Sequence, residues 1–301
     1  MEPVEVPSVS ITKSLGAIIF LNIVAGCFVA SRIAASCSRG NRSLSIDDFL
    51  SLVALILLSS YSAVTYTFEL PTGSQVENMP ITTIDYVLRQ TIILTTVAAF
   101  TMYFSKTPLL VLYVRIFGVK KWLRMMSYTT LALSLMLFLT TTAVVGATCS
   151  RKVSASDYMP PLEQCLETTI SVGVANGSTA VLTDIIVIIL PLPAIAGLNL
   201  PFHKKVGIAI IFLTGIFATS ASAISLYYKS MSFTGHSTTL MVTLFCTIIE
   251  CSLAIIVGCV PGVRACWSAY EMSALHKKVK SMFARSRSVK SSENYGVDDE
   301  S

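Results

Sequence analysis

Three charged side chains lie deep within long apolar stretches of the sequence: Lys106, Asp184 and Glu250. A charge at the centre of a membrane helix costs about 2.5–3.5 kcal/mol, so such residues usually pair with one another or serve a function. A buried ammonium and two carboxylates could form ion pairs, exchange a proton or bind a ligand. One ammonium and two carboxylates leave a surplus negative charge. We therefore expect one acid to be protonated or bound to another cation.

The same three residues are expected at similar depths. At a rise of about 1.5 Å per residue, they lie ~22, ~20 and ~17 Å from the side on which their helices begin. Lys106 is too far from the opposite boundary to reach it fully by snorkelling, so a carboxylate partner inside a bundle is the better account. Asn176 lies above Asp184 on the same helix face and extends the polar layer. This layer is either a packing lock or a site for a ligand, a proton or a switch.

The elements that must position these residues are membrane helices. The chain of 301 residues is 53% hydrophobic and only 13% charged, with a mean hydropathy of +0.70, which excludes an ordinary soluble domain. Its apolar stretches are long enough to cross a hydrocarbon core of about 30 Å, and the short alternating strands of a β-barrel are absent. We predict an all-α bundle of seven transmembrane helices. The predicted spans are residues 15–36, 48–68, 91–116, 125–147, 170–196, 206–228 and 239–260.

The basic residues predict the orientation of this bundle. Of the 22 Lys and Arg residues, 16 lie on the side of residues 263–290, so the positive-inside rule places the N-terminus outside and the C-terminus in the cytosol. This assignment puts Lys229 in an outer loop. The first span is expected to be a retained helix rather than a signal peptide, because the residues before it are acidic.

The chain is accordingly divided into four parts. Residues 1–14 form a short outer tail, and residues 15–262 form the membrane domain. Residues 263–290 form a basic amphipathic cytosolic segment that can lie on the anionic inner leaflet, and residues 291–301 form a disordered tail.

Two further groups of residues carry specific expectations. Cys149 and Cys165 are the only cysteines in the predicted outer loops, where the compartment is oxidising, so we expect a disulfide between them. Asp47 and Asp48 lie at the predicted start of the second helix, where the helix dipole favours acids. A capped helix start is a sufficient role for these two acids, and pairing with nearby arginines is the alternative.

Several classes of function are not predicted. No CxxC pair or His/Cys cluster indicates a metal site, and no GxSxG, HExxH or nucleotide-binding glycine motif indicates an enzyme. The expected partner is the lipid bilayer rather than nucleic acid. A retinal protein needs a Schiff-base lysine in its last helix, but residues 239–260 contain none and Lys106 lies in the third helix. We therefore expect no cofactor.

Several stretches of the chain resemble a known family. They are "SRIAASCSRGNRSLSIDDFLSLVALIL", "SKTPLLVLYVRIFG", "CSRKVSASDYMPPLEQC", "NGSTAVLTDIIVIILPLPAIAGLNLPFHKKVGIAIIFLTGIF" and "IIECSLAIIVGCVPGVR". The chain resembles the fungal rhodopsin-like family of seven-transmembrane integral membrane proteins. That family is related to appressorium-type candidate G-protein-coupled receptors and includes membrane proteins of mycotoxin gene clusters.

The resemblance implies a function and a set of motif positions. The function is that of a receptor-like sensor at the plasma membrane, with a small-molecule ligand and a cytosolic signalling partner. A small-molecule or proton transporter and an accessory membrane protein of secondary-metabolite biosynthesis are the alternatives. The implied motif positions are Asp47, Asp48, Lys106, Arg115, Cys149, Cys165, Asp184, Pro191, Pro193, Glu250 and Pro261. Together with Pro108, these prolines are expected to shape helices and to free backbone carbonyls.

Overall fold

The chain folds into long helices. The computed structural model describes residues 11–38, 46–72, 81–117, 121–150, 159–190, 202–231 and 242–260. These described residues contain seven helices and no strand, which confirms the predicted all-α class. The helices are α1 (Ile11–Ser38), α2 (Ile46–Thr72), α3 (Ile81–Phe117), α4 (Lys121–Cys149), α5 (Met159–Ile189), α6 (Phe202–Met231) and α7 (Val242–Val260).

Six helices of the described ranges are long and apolar enough to cross a membrane, namely α1 to α5 and α7. The chain is therefore a multi-pass membrane protein. The predicted sixth span, residues 206–228, lies within α6, which is not one of these six. Residues 1–10, 191–201 and 261–301 lie outside the described residues. Four predictions therefore lie outside the described residues. They concern most of the outer tail, the end of the fifth span, the basic cytosolic segment and the C-terminal tail.

Serine and threonine side chains are compatible with these apolar helices because they bond to their own backbone. For example, Ser60 Oγ donates to Ile56 O at 2.9 Å, and Thr140 Oγ1 donates to Met136 O at 2.8 Å. Each bond joins a hydroxyl to the carbonyl four residues earlier, so the hydroxyl needs no water. The sequence can thus carry many hydroxyl groups and still span a bilayer.

The middle of the bundle is formed around α3 and α7. Helix α3 packs against α2, α4 and α5, while α7 contributes Ile248, Cys251, Ile255 and Cys259 to the main core. Many large apolar side chains instead point outwards, as expected for surfaces that face lipid. Examples of these exposed residues are Phe20, Ile56, Met136, Leu182 and Phe217.

The two ends of the bundle are distinguished by the connections between helices. Helix α4 ends at Cys149, which forms a disulfide with Cys165 near the start of α5, and this confirms the predicted bridge. We call this end of the bundle the disulfide end. Helices α3, α5 and α7 begin there, whereas α1, α3, α5 and α7 finish at the opposite end.

Candidate functional site

Lys106 lies inside the bundle on α3 and is hydrogen-bonded to α5. Its Nζ lies 2.8 Å from Asp184 Oδ1 and donates to the backbone oxygen of Ala180, also at 2.8 Å. The lysine side chain is only 8% exposed. A charged donor with two acceptors at this distance forms strong hydrogen bonds in a low-dielectric interior. Asp184 is therefore the acid that holds Lys106 most closely.

Glu250 on α7 lies between two ammonium groups and is hydrogen-bonded to neither. Its Oε1 is 3.6 Å from Lys106 Nζ, and its Oε2 is 3.6 Å from Lys229 Nζ. Both distances allow electrostatic attraction but exceed hydrogen-bond length. Within the described part of the chain, neither Glu250 oxygen has a hydrogen-bond partner, and the same is true of Lys229 Nζ.

Lys229 corrects the prediction that placed it in an outer loop. Helix α6 continues to Met231, and Lys229 is only 4% exposed. A Cβ atom added at Gly177 would lie 3.1 Å from Lys229 Cδ, so the glycine on α5 leaves room for this side chain. The sequence predicted two carboxylates and one ammonium within the membrane, and this imbalance indicated that a second cation could be present. Which lysine supplies it depends on helix packing.

These four residues form one ion cluster, which we call the lysine cluster: Lys106, Asp184, Lys229 and Glu250. It contains two ammonium groups and two carboxylates. Asp184 also accepts a hydrogen bond from Ser222 Oγ of α6 through its second oxygen. The cluster therefore joins α3, α5, α6 and α7, which lie far apart along the sequence.

A cavity of about 130 Å³ adjoins the lysine cluster on the side of the disulfide end. Its wall is mostly apolar, and Lys229 is the charged residue in it. The cavity is lined by Tyr61, Thr91, Leu94, Thr95, Ala98, Met102, Leu166, Thr169, Ile170, Gly173, Asn176, Lys229, Thr243, Leu244 and Thr247. One turn of α5 before Thr169 lies the disulfide-bonded Cys165, whose backbone oxygen accepts from the Thr169 hydroxyl at 2.7 Å. The disulfide thus anchors one wall of the cavity.

Asn176 belongs to the cavity wall, and its side-chain oxygen is bonded to α4. The Asn176 Oδ1 accepts a hydrogen bond from Thr141 Oγ1 at 3.0 Å. The predicted polar layer is thus divided between the lysine cluster and this cavity wall.

A smaller cavity, of about 30 Å³, touches Lys106 and Asp184. It lies between α3, α5, α6 and α7 and is lined otherwise by apolar residues and Gly215. The lysine cluster therefore has one cavity beside Lys229 and another beside the Lys106–Asp184 pair.

A second ion cluster occupies the end of the bundle opposite the disulfide end. Arg32 of α1 donates from Nε to Asp48 Oδ1 at 2.9 Å and from Nη2 to Asp47 Oδ2 at 2.8 Å. Its Nη1 donates to the backbone oxygen of Gly258 on α7 at 2.6 Å. Arg115 Nη1 of α3 donates to Asp47 Oδ1 at 3.2 Å. We call Arg32, Asp47, Asp48 and Arg115 the arginine cluster.

The arginine cluster distinguishes between the two expectations for Asp47 and Asp48. Both acids begin α2, and both pair with arginines, which is the alternative that the sequence left open. The sequence did not single out Arg32 as a site residue, although its side chain is only 2% exposed. Its position at the end of an apolar helix resembles that of any boundary arginine, so its burial could not be inferred from the sequence.

Of the four predicted helix-shaping prolines, Pro108 is the one that lies among the described residues. Pro108 is buried within α3, and the helix continues through it. Proline has no N–H to donate to the carbonyl four residues earlier, so this helix lacks one internal bond near Lys106. Pro191, Pro193 and Pro261 lie outside the described residues.

A metal site and a retinal site each depend on particular side chains. No group of three or more His, Cys, Asp or Glu side chains comes together among them. Helix α7 contains no lysine, since the lysines of the cluster are on α3 and α6.

Residues 31–269 match the family model described as the fungal rhodopsin domain. The match covers well over half of the chain, and it includes every residue of both ion clusters and both disulfide cysteines. The chain belongs to the fungal rhodopsin domain family, as the resemblance of its sequence indicated. No curated protein matches the chain.

Proposed function

We propose that the chain is a receptor-like membrane sensor that uses no retinal and catalyses no reaction. The observation that carries this proposal is the position of Glu250 between Lys106 and Lys229, beside a cavity and at 3.6 Å from each ammonium. Buried ions without hydrogen bonds are costly, so a small change in their surroundings can favour a different pairing. The absence of a lysine from α7 supports the proposal that retinal is not used.

The lysine cluster could convert binding in the cavity into a change of helix packing. A molecule that contacts Lys229 alters the attraction between Lys229 and Glu250, and Glu250 in turn neighbours Lys106. Those residues belong to α6, α7 and α3, and Lys106 is bonded to α5. A ligand shifts such an equilibrium only to the extent that it binds one arrangement better than the other.

The proposed orientation makes the cavity accessible to a molecule outside the cell. Basic residues favour the cytosol at the end where the arginine cluster lies, so the disulfide end faces outwards. A disulfide is also favoured by the oxidising outer compartment. We propose the plasma membrane as the location, a small molecule as the ligand and a signalling protein as the partner of the cytosolic face.

Transport of a small molecule or proton is the second candidate function. The observation that favours it is the smaller cavity at Lys106 and Asp184, because cavities then touch both ends of the lysine cluster. A carrier could move a proton or a solute through such a row of buried charges. An accessory role in secondary-metabolite biosynthesis rests on the family resemblance, and the genes that flank this one would test it.

Conformational exchange at the cytosolic face tests the sensor. A spin label at Cys37 and another at Ile189→Cys report the distance between α1 and the end of α5, since both positions are exposed. The background carries Cys27→Ala, Cys246→Ala and Cys266→Ala, so that no label attaches at these positions. We expect Glu250→Gln to change the distance distribution relative to the parent protein, because Lys106 and Lys229 lose their shared carboxylate. The matched control is Gly146→Ala, where an added Cβ has no neighbour within 4 Å.

Two outcomes would contradict the sensor. An identical, single distance in the parent protein and in Glu250→Gln would indicate a rigid scaffold. Proton flux into proteoliposomes that carry the parent protein, and its loss in Glu250→Gln, would indicate the transporter instead.

A second test of the sensor is made in cells. Two strains that lack the native gene are compared, one complemented with the parent chain and the other with Glu250→Gln. We expect the two strains to differ in the phosphorylation of cytosolic proteins.

A further inference from the structure

The cavity beside Lys229 has the size and surface of a site for a small organic molecule. Its volume of about 130 Å³ approaches that of an engineered cavity of about 150 Å³ that binds benzene. Six of its fifteen lining residues are leucine, methionine, isoleucine or alanine, and most of the surface that the wall presents to the cavity is apolar. Such a wall favours a compact apolar body, and one or two polar groups would fix its orientation.

The charged group that can donate into this cavity is the Lys229 ammonium. It is buried, it lines the cavity, and it has no hydrogen-bond partner in the described ranges of the chain. Its only ionic neighbour there, Glu250 Oε2, is 3.6 Å away. An acceptor atom placed in the cavity would therefore satisfy a donor that protein groups leave unbonded.

Three threonine hydroxyl groups of the wall donate their protons to backbone oxygens of their own helices. Thr91 donates to Val87 O at 2.8 Å, and Thr247 donates to Thr243 O at 3.0 Å. Thr169 donates to Cys165 O in the same manner. The protons of these three hydroxyl groups are therefore engaged, and the Lys229 ammonium is the charged donor that the wall offers to an acceptor in the cavity.

The charges of the lysine cluster favour a neutral ligand. Two ammonium groups already balance two carboxylates, so an anionic ligand would add a third negative charge and a cationic ligand a third positive charge. An unbalanced buried charge is penalised far more than a neutral dipole. A carbonyl oxygen can accept a hydrogen bond from Lys229 and leave this balance unchanged.

We propose that the cavity binds a small neutral carbonyl compound with a compact apolar body, and that its carbonyl oxygen accepts a hydrogen bond from Lys229 Nζ. The inference rests on the proposed function in taking the cavity as the ligand site of the sensor. Binding can nevertheless be measured without any signalling readout.

Four probes of similar size and shape test this inference on the full chain in detergent. Acetophenone carries the carbonyl, cumene replaces it by an apolar group, benzoate is an anion and 1-phenylethylamine is a cation at neutral pH. Equilibrium binding is measured together with the rise of the unfolding temperature. We expect acetophenone to bind at least about tenfold more tightly than each of the other three, because only acetophenone satisfies the ammonium without adding charge.

Two variants and a control locate the binding. Lys229→Met combined with Glu250→Gln keeps the cluster neutral, so we expect it to fold and to bind acetophenone and cumene equally. Gly173→Leu projects a side chain into the cavity, since an added Cβ there meets nothing within 4 Å, and it should abolish binding of every probe. Gly146→Leu on α4 adds the same side chain outside the cavity and should leave the affinities unchanged.

Several results would overturn the inference. These are failure of all probes to bind, equal binding of acetophenone and cumene to the parent protein, and a preference for benzoate or 1-phenylethylamine. A membrane lipid that is retained by the parent protein and lost from Gly173→Leu would identify a lipid chain as the occupant instead. The proposed function fails separately if acetophenone binds as expected but the distance between the two spin labels is the same in the parent protein and in Glu250→Gln.

Discussion

The arginine cluster and the lysine cluster each balance two cations against two carboxylates, but their geometry differs. Arg32 makes three hydrogen bonds of 2.6–2.9 Å, to α2 and to α7. Lys229 and Glu250 are buried to a similar extent and approach only to 3.6 Å. A guanidinium has five donors in a rigid fork, whereas an ammonium is a compact charge on a flexible chain. The difference indicates a tightly bonded cluster at one end of the bundle and a looser pairing of charges within it.

The largest loss of stability is expected when the hydrogen bonds of Arg32 in the arginine cluster are removed. Arg32→Met should reduce the free energy of unfolding by about 3–5 kcal/mol, because Asp47 and Asp48 lose their buried partner. Thermal unfolding of the purified protein measures this loss. Arg89→Met is the control, since Arg89 pairs with Asp85 on the surface of α3 and its side chain is 76% exposed. An equally small effect of both substitutions would show that the hydrogen bonds of Arg32 do not stabilise the bundle.

Removal of the disulfide should affect the cavity side of the molecule. The bridge closes a segment with a sequence separation of 16, so Cys149→Ser with Cys165→Ser should cost about 3 kcal/mol. Because the bridge anchors the α5 wall, hydrogen exchange should increase around residues 165–173 more than around Arg32. Equal increases in hydrogen exchange around residues 165–173 and around Arg32 would mean that these two regions unfold together.

A double-mutant cycle separates the two acids that neighbour Lys106. The coupling free energy between Lys106→Met and Asp184→Asn should be about 1–3 kcal/mol, and that between Lys106→Met and Glu250→Gln should be smaller. The reason is that Asp184 lies at 2.8 Å from the lysine and Glu250 at 3.6 Å. Thermal unfolding of the single and double variants gives both values. A larger coupling to Glu250 would reverse the assigned pairing.

The smallest loss of stability is expected from Gly177→Ala. The added methyl group would lie 3.1 Å from Lys229 Cδ and from Leu226 Cδ1, both at flexible positions, so they should move by a few tenths of an ångström at a cost of about 1 kcal/mol. Gly146→Ala has no such neighbour and should be neutral or slightly stabilising. If Gly177→Ala behaved like Gly146→Ala, the close fit of Lys229 against α5 would be wrong.

The sequence determined the class of protein and the depth of its main charges. Long apolar stretches can cross a bilayer only as helices, because each helix satisfies its own backbone. The positions of Lys106, Asp184 and Glu250 along those stretches then predicted that they would share one layer. Cys149 and Cys165 could be paired because they are the only cysteines in the predicted outer loops.

Tertiary structure decided which side chains meet across helices. The direction of a side chain depends on how each helix is rotated and how closely it approaches its neighbours, and apolar helices surrounded by lipid carry little periodic signal for that rotation. The burial of Lys229 required the close approach of α6 to Gly177, and the hydrogen bonds of Arg32 required α1, α2 and α7 to converge. The preference of Lys106 for Asp184 and the cavity beside Lys229 follow from the same packing. Neither can be derived from spacing along one chain.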